Sequence, residues 1–393
     1  MRGHIVKRYK GSWSIVIDED KDPETGKRKQ RWITVKGTKR DAEKELNRIL
    51  SQKDNGIYVK PERTTLKEYL ESWLRDYCTP NLSPNSTETY NIMVHKHILP
   101  DIGELRLTEL KPQHIQKLIS KIQGAGLNRT AQYVYTTLHR SLKIALKQGT
   151  IARNPVEAVE FPKVKHYEFK TMNEEDISKF LDAAKKTEYY ALFYCALFCG
   201  MRRSELLALQ WQDVDLYLMQ ISVNRTLHQL MSGEIIIKQP KTNKSRRLIA
   251  LSPSTCAVLR EHMEARKKHL QAINPDFDPE KDFNYDELVF CKPDGSPYRP
   301  DSVTHAWINL VRRNGLTGVR LHDARHSMAS IMLKNGTHPK IVQERLGHAK
   351  ISTTLDTYSH VAPGLQAAAA NKLDEIVLKH EDRLTKELNE IIR

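Results

Sequence analysis

The stretch "LHDARHSMAS", residues 321–330, places His322 and His326 four positions apart, with Asp323 directly after the first histidine. Two histidines at this spacing share one face of a helix, and H-E-x-x-H is the zinc site of helical metalloproteases. The aspartate is one methylene shorter than the glutamate of that motif, and Arg325 has no place in a zinc site. Two alternatives are therefore open at this stretch, a metal site or a cationic site, and the rest of the chain decides between them.

The composition favours a protein with a polyanionic partner. The 393 residues predict two or three domains, and 63 Lys and Arg against 48 Asp and Glu give a net charge of +15. The five cysteines include no C-x-x-C pair, so neither a disulfide framework nor a cysteine zinc cluster is expected. The N-terminus lacks a signal-peptide pattern, and the longest apolar run, residues 189–201, is too short to span a bilayer. We expect a cytoplasmic protein without a membrane partner.

Residues 1–58 are predicted to form a small unit of their own. "SWSIVID" alternates apolar and polar residues, "RWITVKG" follows as another strand, and Thr38 is positioned to cap the helix "KRDAEKELNRILSQ". The unit has 15 Lys and Arg against 9 Asp and Glu, a net charge of +6. It is either a solvated adaptor or a β-sheet that enters a DNA groove.

Residues 59–163 carry helical patterns only, which predicts a helical bundle. Helix starts are indicated at Ser83-Pro84 and at Lys111-Pro112, because proline is favoured at the first position of a helix. The basic, proline-containing stretch at residues 160–170 is predicted to be a linker.

Residues 164–393 mix helices with short strands. Thr171 is the predicted N-cap of the first helix, with Glu174 at the capping-box position. Farther along, two strands, "GEIIIKQPK" and "SRRLIAL", flank the short turn "TNK" and indicate a hairpin.

Five stretches of this third region carry the candidate catalytic residues. They are "GMRRSELLALQ" with Arg202, "PKTNKSRRLIAL" with Lys241, "LHDARHS" with His322 and Arg325, "RLGH" with His348, and "LDTY" with Tyr358. The order Arg, Lys, His-x-x-Arg, Leu-Gly-His, Tyr resembles the active site of the tyrosine recombinase, or phage integrase, family. A single His-x-x-Arg is worth little, but five linked elements in order are a specific signal.

The resemblance implies a multidomain fold that is mainly α with small β parts. The first region resembles the arm-type DNA-binding domain of integrases from Gram-positive phages and conjugative transposons, with a three-stranded sheet and one helix at residues 1–58. Residues 59–163 resemble the helical, SAM-like core-binding domain. Residues 164–393 would form the mixed α/β catalytic domain with a C-terminal tail. The tail repeats apolar residues at helical spacing, which suits packing on a neighbouring subunit or on its own domain.

The chemistry of joining DNA without ATP explains the nucleophile and the arginines. A covalent protein–phosphate ester keeps the energy of the broken phosphodiester, and the Tyr358 hydroxyl can form such an ester. Arg202 and Arg325 are the candidates for holding the nonbridging oxygens, where negative charge builds up in the transition state. Glu205, three residues after Arg202, is expected to orient its neighbours rather than to react.

The remaining candidates move protons or contact the phosphate. His322 is the expected general base, since a free tyrosine has a pKa of about 10 and needs help to lose its proton. His348 is a further phosphate donor, and Lys241, beside its turn, can protonate the departing 5′ oxygen. No metal or other cofactor is expected, because the cationic side chains of the site would take the place of a metal at the phosphate. The stretch "LHDARHS" is therefore interpreted as a cationic site rather than a metal site, with His326 in a structural role.

Neighbouring residues compete with some of these assignments. Arg203 adjoins Arg202, and successive side chains of a helix point about 100° apart, so only one can face the phosphate. The pattern G-x-R-x-S-E selects Arg202. Lys238 and Lys244 compete with Lys241, which the Lys-Thr before the turn favours. Three further tyrosines are interpreted as half-buried core rings: Tyr90, Tyr133 and Tyr135.

The sequence thus predicts a site-specific DNA recombinase, an integrase that cuts and rejoins DNA through a 3′-phosphotyrosyl intermediate. Its partners would be double-stranded attachment sites, three further copies of the chain in a synaptic tetramer, an excisionase and a host DNA-bending protein. The setting would be the bacterial cytoplasm, at the nucleoid when bound. One rival is a type IB topoisomerase, against which the N-terminal unit argues. Another is a non-catalytic DNA-binding regulator on the same fold, against which the intact residue set argues.

Overall fold

A computed structural model provides the architecture. It describes residues 3–9, 11–19, 29–54, 63–164, 169–239 and 246–358, together with Ala370, Asn371, Leu373 and Val377. The chain divides into two compact units, Met1–Lys165 and His166–Arg393. No helix among these residues is long and apolar enough to cross a membrane.

The first unit begins with an antiparallel sheet and one helix. The elements are β1 (Gly3–Tyr9), β2 (Ser12–Glu19), β3 (Lys29–Lys36) and α1 (Lys39–Asp54). Strand β2 is central, and its Ile15 and Ile17 pack with Ile49 of α1. Thr38 and Asp41 cap α1, since the Asp41 carboxylate accepts from the Thr38 backbone N–H at 2.8 Å. The predicted three-stranded sheet and its helix are confirmed.

The rest of this unit is helical. The helices are α2 (Leu66–Ser72), α3 (Thr79–Asn81), α4 (Pro84–Ile92), α5 (Leu99–Ile102), α6 (Pro112–Gly124) and α7 (Asn128–Lys147). Two π-helical segments, Trp73–Cys78 and Met93–Ile98, continue α2 and α4. The predicted helix starts at Pro84 and Pro112 are confirmed.

The tyrosines of this unit were only partly predicted. Tyr90 and Tyr135 pack at the edge of the helical core, as expected. The prediction for Tyr133 is wrong, because its ring is 43% exposed and faces the guanidinium of Arg129. Successive side chains of a helix point about 100° apart, so Tyr133 projects away from the buried face of Val134 and Leu138.

The second unit mixes helices and short strands. Its helices are α8 (Glu174–Ala184), α9 (Tyr190–Cys199), α10 (Arg203–Leu206), α11 (Pro253–Ile273), α12 (Pro300–Arg313), α13 (Leu321–Lys334), α14 (Pro339–Leu346) and α15 (Ile351–Tyr358). Its strands are β4 (Val214–Asp215), β5 (Gln220–Val223), β6 (Thr226–Gln229), β7 (Ile235–Lys238) and β8 (Arg247–Ala250). Helix α9 is almost entirely buried, and Phe193 on it packs against Trp307 of α12.

The predicted cap of α8 is wrong by two residues. Helix α8 begins at Glu174, and Asn173 rather than Thr171 is its N-cap. The Asn173 side chain accepts from the Asp176 backbone N–H at 2.8 Å, and the Asp176 carboxylate accepts in return from the Asn173 N–H. Asn173 competes successfully because asparagine is at least as good an N-cap as threonine.

The predicted strands near Lys241 exist, but they do not form a hairpin with each other. Strand β7 pairs with β6, and β8 pairs with β5 at the edge of the sheet β4-β5-β8. The turn around Gly233, with φ of +86°, closes the β6–β7 pair, and Ile249 of β8 is buried against Ile221 of β5. Lys241 itself lies outside the described residues.

The predicted tail helix lies mostly outside the described residues. Ala370, Asn371, Leu373 and Val377 are helical and exposed. Whether the tail packs on its own domain or on a neighbour stays a prediction.

Candidate active site

Arg202 lies at the start of α10, shortly after the buried helix α9. Its backbone is extended, with φ of −70° and ψ of 150°, so it is the N-cap and not a helical residue as assumed from the sequence. Its Nη1 donates to Glu205 Oε1 at 2.6 Å, and its backbone N–H donates to Oε2 at 2.9 Å. Arg203 takes another direction and donates to the Thr304 hydroxyl of α12. The two adjacent arginines are therefore separated by their backbone conformations.

Glu205 is a buried carboxylate held by two guanidinium groups. Besides Arg202, it accepts two hydrogen bonds from Arg247 of β8, at 3.1 Å to Oε1 and 2.8 Å to Oε2. Burial alone would raise the pKa of this carboxyl, but the hydrogen bonds and charge of Arg247, with Arg202, bring it down to about 2. Glu205 is thus ionised at neutral pH and orients both arginines.

Arg325 joins the carboxyl ends of two helices. Its side chain is buried, with only 2% of the residue exposed, and it donates to the carbonyl oxygens of Gly200 at 2.7 Å and Leu346 at 2.5 Å. Gly200 and Gly347, the C-caps of α9 and α14, have φ of +63° and +66°, a conformation that favours glycine. The guanidinium thus satisfies carbonyl groups that a helix end leaves without partners.

His348 follows this glycine and is held by α15. Its Nδ1 lies 2.9 Å from the Thr354 hydroxyl, and its backbone N–H donates to Gln343 O. When the Thr354 hydroxyl donates to Nδ1, Nε2 carries the proton and can donate to a phosphate oxygen. Desolvation first, and then the charges of Arg325 and Arg202, lower the pKa of His348 to about 4.

His322 and His326 lie on α13 with their rings in edge-to-face contact, 5.1 Å between centroids. The His322 side chain is exposed at the first turn, while His326 stacks on Phe169 at 4.3 Å. Partial desolvation and the Arg325 charge lower the pKa of His322, so the imidazole is neutral near pH 7 and can accept a proton. Desolvation lowers the pKa of His326 to about 4.

Asp323 has a helix-capping role. It is fully buried and accepts from Arg320 three times, at 2.8 Å from the backbone N–H, 3.0 Å from Nε and 2.9 Å from Nη2. Both carboxylate oxygens are therefore occupied at the start of α13. The carboxylate is not oriented to activate water at a metal between His322 and His326.

The structure brings four of the six predicted site residues together. Arg202 and Arg325 are close enough to both His322 and His348 to lower the pKa of each imidazole. Lys241 lies outside the described residues. Tyr358 is the last residue of α15, the helix that also supplies Thr354 against His348, and its side chain lies outside the described part.

Arg247 is the site-adjacent residue that sequence reasoning missed. It bonds to the same carboxylate as Arg202, yet it is 45 positions away along the chain (247 minus 202). The one signal for Arg247 in the sequence was its place in the strand "SRRLIAL". Because the side chains of a strand alternate between the two faces of the sheet, position 247 lies on the same face as the buried Ile249.

Comparison with known proteins identifies the family. The phage integrase family model matches residues 170–364, and the model of the N-terminal SAM-like domain of phage integrases matches residues 65–123. The chain belongs to the phage integrase family. It is 26% identical to the ICEBs1 integrase of Bacillus subtilis over 376 residues, which cover 95% of this chain and 100% of that protein.

Solved integrase structures share the fold. The Tn1549 transposon integrase in complex with transposon right end DNA superposes with a TM-score of 0.66 at 18% identity, over 80% of this chain and 100% of that one. One chain of a lambda integrase tetramer bound to a Holliday junction superposes with a TM-score of 0.56 at 17% identity, over 88% of this chain and 96% of that one. As a member of the phage integrase family that matches the full length of the ICEBs1 integrase, the chain is a tyrosine-type site-specific DNA recombinase. The comparisons favour neither a topoisomerase nor a non-catalytic regulator.

Proposed function

We propose that this integrase integrates and excises a mobile element at DNA attachment sites, with Tyr358 as nucleophile and Arg202, Lys241, His322, Arg325 and His348 as its catalytic residues. One observation carries the proposal. Two guanidinium groups and two neutral imidazoles, from three separate segments, converge at the C-caps of α9 and α14. A two-site recombination assay tests it, since recombinant products require strand exchange, and relaxation of supercoils alone would refute it.

In the proposed first step, the Tyr358 oxygen attacks the scissile phosphorus. A P–O bond to tyrosine forms, the P–O5′ bond breaks, and the strand is left with a 3′-phosphotyrosyl end and a free 5′ hydroxyl. The tyrosine proton passes to the neutral His322 imidazole, and Lys241 gives a proton to the departing oxygen. A 5′ hydroxyl of the partner duplex then reverses these events and releases Tyr358.

Arg202 and Arg325 would stabilise the charge on the nonbridging oxygens. Both are fixed before DNA arrives, Arg202 by Glu205 and Arg325 by the Gly200 and Leu346 carbonyls. Preorganised donors cost no reorganisation at the moment of reaction. His348, with Nδ1 tied to Thr354, would add a third donor through Nε2.

Assembly on DNA would involve all three regions of the chain. Residues 1–58 would bind arm-type sites, and residues 59–163 and 164–393 would clamp the crossover DNA. Four protomers would act on two duplexes, as the lambda integrase tetramer on its Holliday junction supports by analogy of fold. An excisionase and a host DNA-bending protein would control direction, at the bacterial nucleoid.

Strand cleavage is expected to proceed in EDTA, because arginines and a lysine take the place of a metal at the phosphate. The measurement is cleavage of a core-site duplex with and without chelator. Loss of cleavage in EDTA, restored by Zn²⁺ or Mg²⁺, would overturn the assignment of "HDARH" as a phosphate clamp.

Deletion of residues 1–58 is expected to leave cleavage of short core-site duplexes intact and to lower integration. The N-terminal sheet has its own core around Ile15 and Ile17, separate from the helical core of α2 to α7. DNA binding through this unit should weaken steeply with salt, since neutralised phosphates release counterions. Loss of core cleavage in a folded truncated chain would refute this division of labour.

A further inference from the structure

Arg247 is a buried cation that no step of the proposed reaction uses. Its side chain is 6% exposed, less than that of Arg202, which is 36% exposed. All three groups of hydrogen-bond donors are engaged: Nε with the Arg345 carbonyl at 2.8 Å, and Nη1 and Nη2 with the Glu205 carboxylate. A buried guanidinium in such a fixed arrangement holds its partners in one geometry.

The first partner is the carboxylate that orients Arg202. Glu205 Oε1 is shared, since it accepts from Arg202 Nη1 at 2.6 Å and from Arg247 Nη1 at 3.1 Å. Glu205 Oε2 is shared in the same manner by the Arg202 backbone N–H and by Arg247 Nη2. Any movement of Arg247 therefore displaces the carboxylate against which Arg202 is aligned.

The second partner is the turn that carries His348. Arg247 binds the carbonyl of Arg345, in the last turn of α14, and packs on the backbone of Gly347. A Cβ at Gly347 would lie 2.9 Å from Arg247 Cδ and 3.1 Å from Nη1, closer than side chains pack. Glycine in the Leu-Gly-His motif is thus required by its positive φ and also by the close approach of Arg247.

We propose that Arg247 is a positioning residue that aligns Arg202, through Glu205, with the Gly347–His348 turn, so that both face the same phosphate. The proposal rests on the proposed function, in which Arg202 and His348 contact that phosphate. Two catalytic segments that are distant in sequence, those of Arg202 and of His348, thus meet at one side chain.

The charges around Glu205 make this role testable by pH. Arg202 faces Glu205 from the start of α10 and Arg247 faces it from β8, while His348 and Arg345 interact electrostatically with Arg247. With Arg247 present, the Glu205 pKa is about 2, and the carboxylate stays ionised over the working range. Without Arg247, only Arg202 remains to oppose the effect of burial, so the pKa of Glu205 rises from this value. Glu205 then takes up a proton as the pH falls, and Arg202 loses its alignment.

The experiment measures single-turnover cleavage of a nicked core-site duplex at saturating DNA. Arg247→Lys keeps the charge but not the planar fork, and we expect a loss of about tenfold, the size of one lost hydrogen bond to a charged group. Arg247→Met should lose about 100-fold, as small misalignments of catalytic groups do. DNA affinity should not change. Lowering the pH from about 8 to about 5.5 should slow every variant as the His322 base takes up a proton, and Arg247→Met should lose more activity over this range than wild type does.

Two variants separate positioning from a merely structural role. Arg266→Lys changes another buried arginine of the same unit, whose side chain is 11% exposed and bonds to Glu287 and the Pro293 carbonyl, and it should cleave at the wild-type rate. Arg247→Met combined with Glu205→Gln should lose the added pH dependence, because the titrating group is gone. Circular dichroism melts identify the temperature at which every variant is folded.

The outcomes are distinct. If folded Arg247→Lys cleaves at the wild-type rate, or if Arg266→Lys loses as much activity, the positioning role is wrong. It is also wrong if the pH dependence that Arg247→Met adds to that of the wild type survives the Glu205→Gln change. If wild-type protein forms no covalent adduct on the same duplex, the proposed function fails instead, whatever the Arg247 variants do.

Discussion

Tyr358→Phe is expected to abolish the covalent protein–DNA adduct and to reduce recombination to the background rate. The change removes one oxygen, so the nucleophile is lost while the ring remains. Fold and DNA affinity should persist within about 1 kcal/mol, as near-isosteric swaps allow. The measurement combines adduct formation on a nicked duplex with DNA binding by the same preparation.

Tyr217→Phe is the matched control for this loss. Tyr217 lies in the same unit, in the turn between β4 and β5, and is 92% exposed. Its variant should form adduct at the wild-type rate. An adduct still formed by Tyr358→Phe would show that another residue attacks the phosphate.

Arg202→Lys is expected to slow cleavage by about 100-fold or more without strictly abolishing it. Lysine keeps the positive charge but lacks the planar fork that can hold Glu205 and a phosphate oxygen together. Loss of a single preorganised donor at a developing oxyanion costs a factor of this size. The measurement is the single-turnover cleavage rate at saturating DNA.

Arg203→Lys is the control, one residue away. Arg203 bonds to the Thr304 hydroxyl and the Pro300 carbonyl on α12, outside the cluster of imidazoles. The cleavage rate of Arg203→Lys should stay within a few-fold of the wild-type rate, because the change weakens only a partly buried hydrogen bond. Equal losses in the two variants, or a larger loss for Arg203→Lys, would mean that the wrong arginine was chosen.

The parts of the fold that local chemistry controls were predictable. Proline at the first helical position marked the starts of α4 and α6, and Thr38 marked the start of α1, where the structure adds Asp41 as its partner. The start of α8 was missed because Thr171 and Asn173 are both good caps, and the reciprocal bond with Asp176 decides between them. Strand pairing was missed because β5 and β8 are joined by core packing of Ile221 and Ile249, which leaves no local signal.

The site was predictable as residue types but not as a network. The sequence motifs selected Arg202, His322, Arg325 and His348, and the structure places them together. The sequence could not show that Arg325 is buried against the Gly200 and Leu346 carbonyls. Nor could it show that Arg247 shares Glu205 with Arg202, since such partners are adjacent only after folding.

The most direct measurement is the chemical identity of the covalent intermediate. Wild-type integrase is incubated with a nicked core-site duplex that traps the cleaved strand, and the denaturation-resistant adduct is digested and mapped by peptide mass. We expect the modified peptide to contain Tyr358 joined to a 3′ phosphate, with a free 5′ hydroxyl on the released strand. An adduct on any other residue, or a linkage to the 5′ end, would contradict Tyr358 as the nucleophile of this site.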